Sequence, residues 1–273
     1  MFLKENFFKK CSFILAGLFI SSCVQSQTTM TWCAYYNWAP WIYSSGKSYD
    51  GILIEQLRLF EKEHKIKAEA IIIDNWKRCQ LEVANGHVDI ILGANKTLER
   101  QKILRFLQEP SFINKSAFSA YALFGNENVQ KVKVLDDLRR YKLSMVRGNS
   151  FGKVVNEFIN SLDETNIGIV NSQEQVLKLV ALKRYDYFFA NETSYLSMLA
   201  KYRKIAPQLN DVSYRKFFSM EREVPVYIAL TKKEGTSLNL ESLWLKTIRS
   251  YHASVDVNER INFHNKNANS AKN

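Results

Sequence analysis

The chain has 273 residues, 46% of them hydrophobic and 24% charged, with 38 Lys and Arg against 27 Asp and Glu and a formal net charge of +11. That is an ordinary globular composition, which excludes disordered, collagen-like and multi-span membrane classes. The length suits one large domain or two smaller ones. The positive charge is spread along the chain, densest between residues 131 and 153; it reads as a solvated face, with no nucleic-acid partner expected of an exported chain.

Lys4, Lys9 and Lys10 precede an uncharged apolar run from Ser12 to Ser22. The run is too short to span a bilayer and has the layout of a secretory signal, so residues 1–22 are expected to be removed. Ile20-Ser21-Ser22-Cys23 fits a lipoprotein signal, which would leave Cys23 acylated and the protein lipid-anchored to a membrane. A cut after Ser26 would give a soluble product instead. Both routes place the chain in the periplasm or outside the cell.

Of the four cysteines, Cys11 leaves with the signal and Cys23 is acylated or removed. Cys33 and Cys79 remain as an even pair in an oxidising compartment, so a disulfide is expected, two buried thiols being the alternative. His64, His87, His252 and His264 are scattered and no Cys-x-x-Cys occurs, so neither a metal site nor a cofactor is expected.

In chain order, Trp32 to Tyr43 (WCAYYNWAPWIY) begins as a strand that Asn37 and Pro40 end, leaving Trp38 and Trp41 on the following loop. After Gly51, apolar Leu53, Ile54, Leu57 and Phe60 recur at helical spacing, and Glu61 and Lys65 pair on the polar side. Ile66 to Ile73 is rich in β-formers, Asn75 caps a helix running to Asn85, and Gly86 stops it. Val88 to Leu92 reads as a short strand. Alternating strands and helices argue for mainly parallel sheets. The pattern restarts with a strand at Lys142 to Val146, a Gly148-Asn149-Ser150 turn, a helix from Phe151 to Leu162 and a strand at Ile167 to Val170. Ser172 with Gln175 opens a further helix, and Tyr187 to Ala190 closes as a strand. Val224 to Thr231 is the last strand and Leu238 to Tyr251 an amphipathic helix; the polar tail from about Asn265 is expected to be disordered.

Two stretches echo one another: Asp89 through Asn95 and Asp186 through Asn191 each run from Asp over large apolar residues to Asn. If both are strands, Asn95 and Asn191 lie at carboxyl ends, where open α/β sheets bind ligands.

Several of these features resemble the family 3 bacterial extracellular solute-binding proteins, the periplasmic receptors of polar amino acid importers. They are the aromatic loop with Tyr36, Trp38, Pro40 and Trp41; Trp76-x-Arg78-Cys79 leading to Gly86-His-Val-Asp89; Thr97-Leu-Glu-Arg100 followed by Pro110; the Gly148-Asn-Ser150 turn with Asp186 to Asn191; and Val226 to Lys232. The resemblance implies an α/β, two-lobed periplasmic-binding-protein fold of type II with a discontinuous first lobe. Residues 30–119 and 224–262 would form lobe 1, residues 120–223 lobe 2 and residues 263–273 a polar tail. Two strands would cross between the lobes near Ser119 to Tyr121 and Met220 to Val224.

It further implies a small-molecule ligand held between the lobes, with closure read by an ABC permease and favoured only by contacts that the ligand makes to both sides. Arg100 falls where the family's Arg grips an α-carboxylate, a task suited to a planar guanidinium fork. Ser150 matches a hydroxyl reaching the same carboxylate, and Tyr36, Trp38 and Trp41 match an aromatic wall; Trp76, beside Cys79, is read as scaffold. At Asn191 the amino acid receptors usually carry an Asp that pairs with the ligand's ammonium. Neutral Asn removes that partner unless Glu192 replaces it, so the expected ligand is small, polar or carboxylate-bearing, with no need of an ammonium group. The leading reading is a binding protein without enzymatic activity. A sensor or anchored partner protein is the second reading, and a cyclohexadienyl dehydratase-like enzyme with Glu192 as general acid the third.

Overall fold

The computed structural model describes residues 28–34, 38–45, 48–73, 75–115, 117–207, 210–221, 223–233 and 239–270. The secretory signal, Cys23 and Tyr36 lie outside the described residues. The first part of the chain gives β1 (Thr29–Ala34), the hairpin β2 (Tyr43–Ser45) and β3 (Ser48–Asp50), α1 (Ile52–His64), β4 (Lys67–Ile72), α2 (Trp76–Ala84) and β5 (Ile90–Asn95). It continues through α3 (Leu98–Ile103), β6 (Leu104–Phe106) and β7 (Phe112–Asn114). A second set follows: β8 (Phe118–Leu123), β9 (Leu143–Val146), α4 (Lys153–Asn160), β10 (Ile167–Val170), α5 (Gln173–Ala181), β11 (Tyr187–Asn191), α6 (Glu192–Ile205) and β12 (Tyr214–Met220). The chain ends in β13 (Val224–Thr231), α7 (Leu240–Ser254) and α8 (Val257–Ser270).

Apart from the two-stranded β2–β3 hairpin, the described strands form two sheets. One has the order β4-β1-β5-β13-β6, with β7 also on β13; the other has the order β10-β9-β11-β8-β12. Both are mixed. β1 is parallel to β4 and β5, but β13 runs antiparallel to β5, β6 and β7. In the second sheet β9 is parallel to β10 and β11, while β8 is antiparallel to β11 and β12. The returning strands come from the other lobe instead of through a local helical crossover, and so lack the right-handed βαβ geometry that enforces parallel pairing. The chain passes between the sheets twice, between β7 and β8 and between β12 and β13; the first passage precedes the expected one, and β8 lies wholly in the second sheet.

Packing follows the periodicity. Ile52, Leu53, Leu57 and Phe60 of α1 are buried, and Phe60 stacks on Trp244 of α7 at 4.4 Å between ring centres. Cys33 of β1 and Cys79 of α2 are joined by the expected disulfide, beside buried Val83, Val88 and Ile91. The second core gathers Phe118, Leu143, Phe151, Val155, Phe158, Tyr187 and Phe189. The two echoed aspartates do the same work in both sheets. Asp89 accepts the backbone N–H of Thr31 at 2.7 Å, and Asp186 accepts that of Lys142 at 2.8 Å, each tying the start of its strand to the neighbouring one.

The C-terminal tail departs from expectation. Residues 257–270 are helical, and α8 packs against α1 of lobe 1 and α6 of lobe 2. Its anchor is polar: Glu55 accepts from Arg260 and from the Tyr251 hydroxyl at 2.6 Å, and lies 3.0 Å from His264 Nε2. His264 is buried, and its Nδ1 lies 2.9 Å from the Tyr43 hydroxyl. Burial alone would raise the Glu55 pKa, but the hydrogen bonds from His264, Arg260 and Tyr251 outweigh it and hold the carboxyl at about 2. A hydropathy reading counts these side chains as solvated, so the sequence suggested a disordered tail where paired charges build a docking site.

Candidate functional site

The carboxyl ends of β5 and β11 meet at a cavity of about 180 Å³ between the two sheets. From the first lobe it is lined by Trp38, Trp76, Ala94, Asn95, Arg100 and Asn114. From the second come Phe118, Asn149, Ser150, Phe151, Gln173, Phe189, Asn191, Ser194 and Met198. Of the expected site residues, Trp38, Asn95, Arg100, Ser150 and Asn191 are thus brought together.

Local structure explains their placement. Trp38 and Ile42 pair in a tight loop closed by backbone bonds, which turns the Trp38 ring over Gly93 of β5. Gly93 has φ +88°, and a Cβ there would come within 2.6 Å of Leu53 and 3.3 Å of the Trp38 ring, so the floor of the cavity requires glycine. On the opposite wall Phe118 stacks on Phe189 at 4.8 Å and lies 5.0 Å from Phe151. Arg100 is buried in α3, a short helix capped by Thr97, with its guanidinium 5.2 Å over the Trp76 ring.

Arg100 also spans the lobes. Its Nη1 donates to the Asn95 carbonyl at 2.9 Å, and its Nη2 donates to the Gly148 carbonyl of lobe 2 at 2.8 Å. Trp76 Nε1 donates to the same Gly148 carbonyl at 3.0 Å. Gly148 presents that oxygen from a turn with φ +77°. Further bonds that cross the gap include Asn95 Nδ2 to the Ser150 carbonyl at 2.9 Å, Ser194 Oγ to the Ala39 carbonyl at 3.0 Å, and Gln80 Nε2 to the Gly148 carbonyl at 3.5 Å. The expectation that only ligand contacts favour closure is therefore corrected, because the lobes also hydrogen-bond directly. Ser150 accepts from Asn156 Nδ2 at 2.8 Å, which fixes the hydroxyl at the start of the helix-opening turn.

Two expected site residues are elsewhere. Trp41 is 1% exposed and stacks on Phe112 at 3.8 Å, so it belongs to the lobe 1 core and not to the aromatic wall. Glu192 does not line the cavity. It accepts from the Lys216 ammonium at 2.8 Å and from the Ser119 and Ser219 hydroxyls, against the sheet. Burial would raise its pKa, but these hydrogen bonds outweigh that effect and hold it below the usual carboxylate value. Asn191 is the extended residue that ends β11 and Glu192 is the first helical residue of α6, so the two side chains leave the backbone in different directions. Among the described residues that line the cavity, Arg100 carries the one formal charge.

Trp76, expected as scaffold, lines the cavity and bonds across the lobes through its indole N–H. The contributions of Ser194 and Met198 had no sequence signal, because no helix is expected over α6; that of Phe118 comes from the start of β8, where the sequence reading expects a strand crossing between the lobes. Among the described residues no group of three or more His, Cys, Asp or Glu side chains could hold a metal ion, and no helix is long and apolar enough to cross a membrane.

No protein-family model and no curated protein matches the chain. Solved structures do. An amino acid ABC transporter substrate-binding protein, AbpA, from Streptococcus pneumoniae bound to L-arginine superposes with TM-score 0.65 at 16% identity, covering 91% of this chain and 98% of that one. A histidine kinase sensor domain with similarity to periplasmic binding proteins gives TM-score 0.62 at 14% identity, covering 83% and 94%. The ancestral amino acid-binding protein AncCDT-1, a precursor of cyclohexadienyl dehydratase, gives 0.60 at 18%, covering 88% and 94%. Two mixed α/β sheets, a chain that crosses between them twice and these matches together establish the two-lobed fold of the periplasmic binding proteins.

Proposed function

We propose that the protein is an exported receptor that captures a small polar or carboxylate-bearing ligand between its lobes and delivers it to the permease of an ABC importer. The observation that carries the reading is the interlobe cavity at the facing ends of β5 and β11. It places one buried guanidinium, that of Arg100, among aromatic rings and neutral amides. The Asn95 and Gly148 carbonyls orient the Arg100 guanidinium, a planar group of five N–H donors whose shape suits a carboxylate. A ligand touching both walls adds to the direct interlobe bonds, and that differential contact shifts the hinge toward closure. The fold shared with an ABC transporter substrate-binding protein supports the importer role, and that shared with a kinase sensor domain supports the alternative of a ligand sensor. The dehydratase reading loses its candidate acid, since Glu192 is held by Lys216 outside the cavity.

A thermal-shift screen of the purified protein against amino acids, peptides, organic acids and amines tests the reading, because a ligand of the folded state raises the melting temperature. A carboxylate-bearing compound should raise it by several degrees and lose that effect in Arg100→Ala. Failure of every class to shift it would contradict the receptor. Uptake of the identified solute should fall on gene deletion; unchanged uptake would move the reading to a sensor.

A further inference from the structure

We infer that α8 is a strap that ties lobe 1 to lobe 2. It adds a third connection to the two chain passages, favours the closed arrangement, and has to part from lobe 2 for the cavity to open.

The grip on lobe 1 is polar and buried. Arg260 and His264 of α8 reach Glu55 of α1, and buried His264 also meets the Tyr43 hydroxyl of β2 at 2.9 Å. Val257 and Ile261 pack against the lobe 1 core. Freeing α8 from this set would leave buried polar groups without their partners, so the strap stays with lobe 1.

The grip on lobe 2 lies at the other end of the helix. One turn on from His264, buried Ala268 forms a small apolar cluster with Ala39 and Tyr43, separate from the main cores. Ala39 follows Trp38 in the tight loop at the cavity, and its carbonyl accepts the Ser194 hydroxyl of α6 at 3.0 Å. α8 itself packs against α6, which supplies Ser194 and Met198 to the cavity lining. The end of α8, the Ala39 loop and the start of α6 therefore meet at one junction beside the cavity.

Opening swings α6 away from lobe 1. Because α8 remains on its Glu55 anchor, that motion separates α8 from α6 as well as breaking the Ser194 bond. Contacts made in one arrangement and lost in the other bias the hinge, as a ligand's contacts would. The coupling is reciprocal: lifting α8 opens the lobes, and closing the lobes seats α8. No residue of α8 is among the described residues that line the cavity, so the strap acts whichever molecule the cavity takes.

Two variants lift α8 from opposite ends. Ala268→Arg puts a charged side chain into the apolar seat at Ala39 and Tyr43, and Glu55→Gln weakens the anchor while keeping its shape, so that one variant remains folded if the other does not. The reporter is the Trp76 indole N–H, which bonds to the Gly148 carbonyl of lobe 2 and packs in an apolar cluster that holds no residue of α8. Its solvent exchange is followed by NMR on protein carrying isotope-labelled tryptophan, assigned with Trp76→Phe, and needs no ligand. Both variants should lose protection at residues 257–270, and the Trp76 indole should exchange at least about fivefold faster, the low end of coupling between sites. The radius of gyration from small-angle scattering should rise with it. Release of α8 with the indole exchange and the radius unchanged would assign α8 to lobe 1 alone and overturn the strap. Full protection of residues 257–270 in both variants would overturn it as well, because neither contact would then be what holds α8.

Discussion

The Glu55 carboxylate gathers the polar contacts that dock α8, beside the apolar packing of Val257, Ile261 and Ala268, and replacing Glu55 by Gln tests its share directly. Glu55 receives Arg260, Tyr251 and His264, and its side chain is 17% exposed. Its carboxyl is held at about 2 against an ordinary value of 4.5. A depression of that size corresponds to about 3 kcal/mol favouring the charged folded form. Gln retains an acceptor of the same shape, so the expected loss is about 2 to 3 kcal/mol, the scale of hydrogen bonds to a charged group. For a chain of this size that lowers the melting temperature by about 5 to 10 °C. Because the folded pKa lies below the unfolded one, the contribution is complete above pH 4.5 and disappears as the pH falls toward about 2. Differential scanning calorimetry should therefore show a gap between native protein and variant at pH 7 that narrows at pH 3, and hydrogen exchange should show residues 257–270 losing protection in the variant. A gap below 2 °C at pH 7, or one equally wide at both pH values, would refute the reasoning.

Four further outcomes follow from particular residues. Reduction of the Cys33–Cys79 bridge, which closes a separation of 46 residues, should lower stability by on the order of 3 to 4 kcal/mol, read as the denaturant midpoint with and without reductant. Trp41→Ala should cost about 3 to 5 kcal/mol because the ring is packed against Phe112. Trp38→Ala, at the cavity, should weaken ligand binding with a smaller loss of stability; equal denaturation midpoints for the two Trp variants would place Trp41 outside the core. Arg100→Ala should weaken carboxylate binding by about 1.5 to 3 kcal/mol and also widen the interlobe angle, through loss of its bond to Gly148. Calorimetry and small-angle scattering read these two effects separately, and unchanged affinity would remove Arg100 from the ligand's side of the account.

Much of the fold was legible where apolar periodicity met a clear cap. The α1 stripe from Leu53 to Phe60 and the Asn75 cap of α2 both stand where the sequence put them, the latter with its side chain accepting from the Arg78 N–H. Missing were elements whose burial is polar or mixed. α8 is held in part through Glu55, Arg260 and His264, and α6 begins at Asn191, which caps the helix as well as lining the cavity. The site was legible to the level of segments but not of side chains. Trp38 and Trp41 stand three residues apart on one loop, and only the approach of Phe112 from β7 decides which of them is core. Asn191 and Glu192 are neighbours in sequence, and the start of α6 sends one to the cavity and the other to Lys216.

The central claim is a ligand held between the lobes, and hydrogen–deuterium exchange with and without the tightest-binding carboxylic acid from the screen tests it most directly. The account predicts new protection on both sides of the cavity at once, in residues 93–100 of lobe 1 and in residues 148–151 and 189–198 of lobe 2. Protection confined to one lobe, or appearing away from these segments, would contradict it.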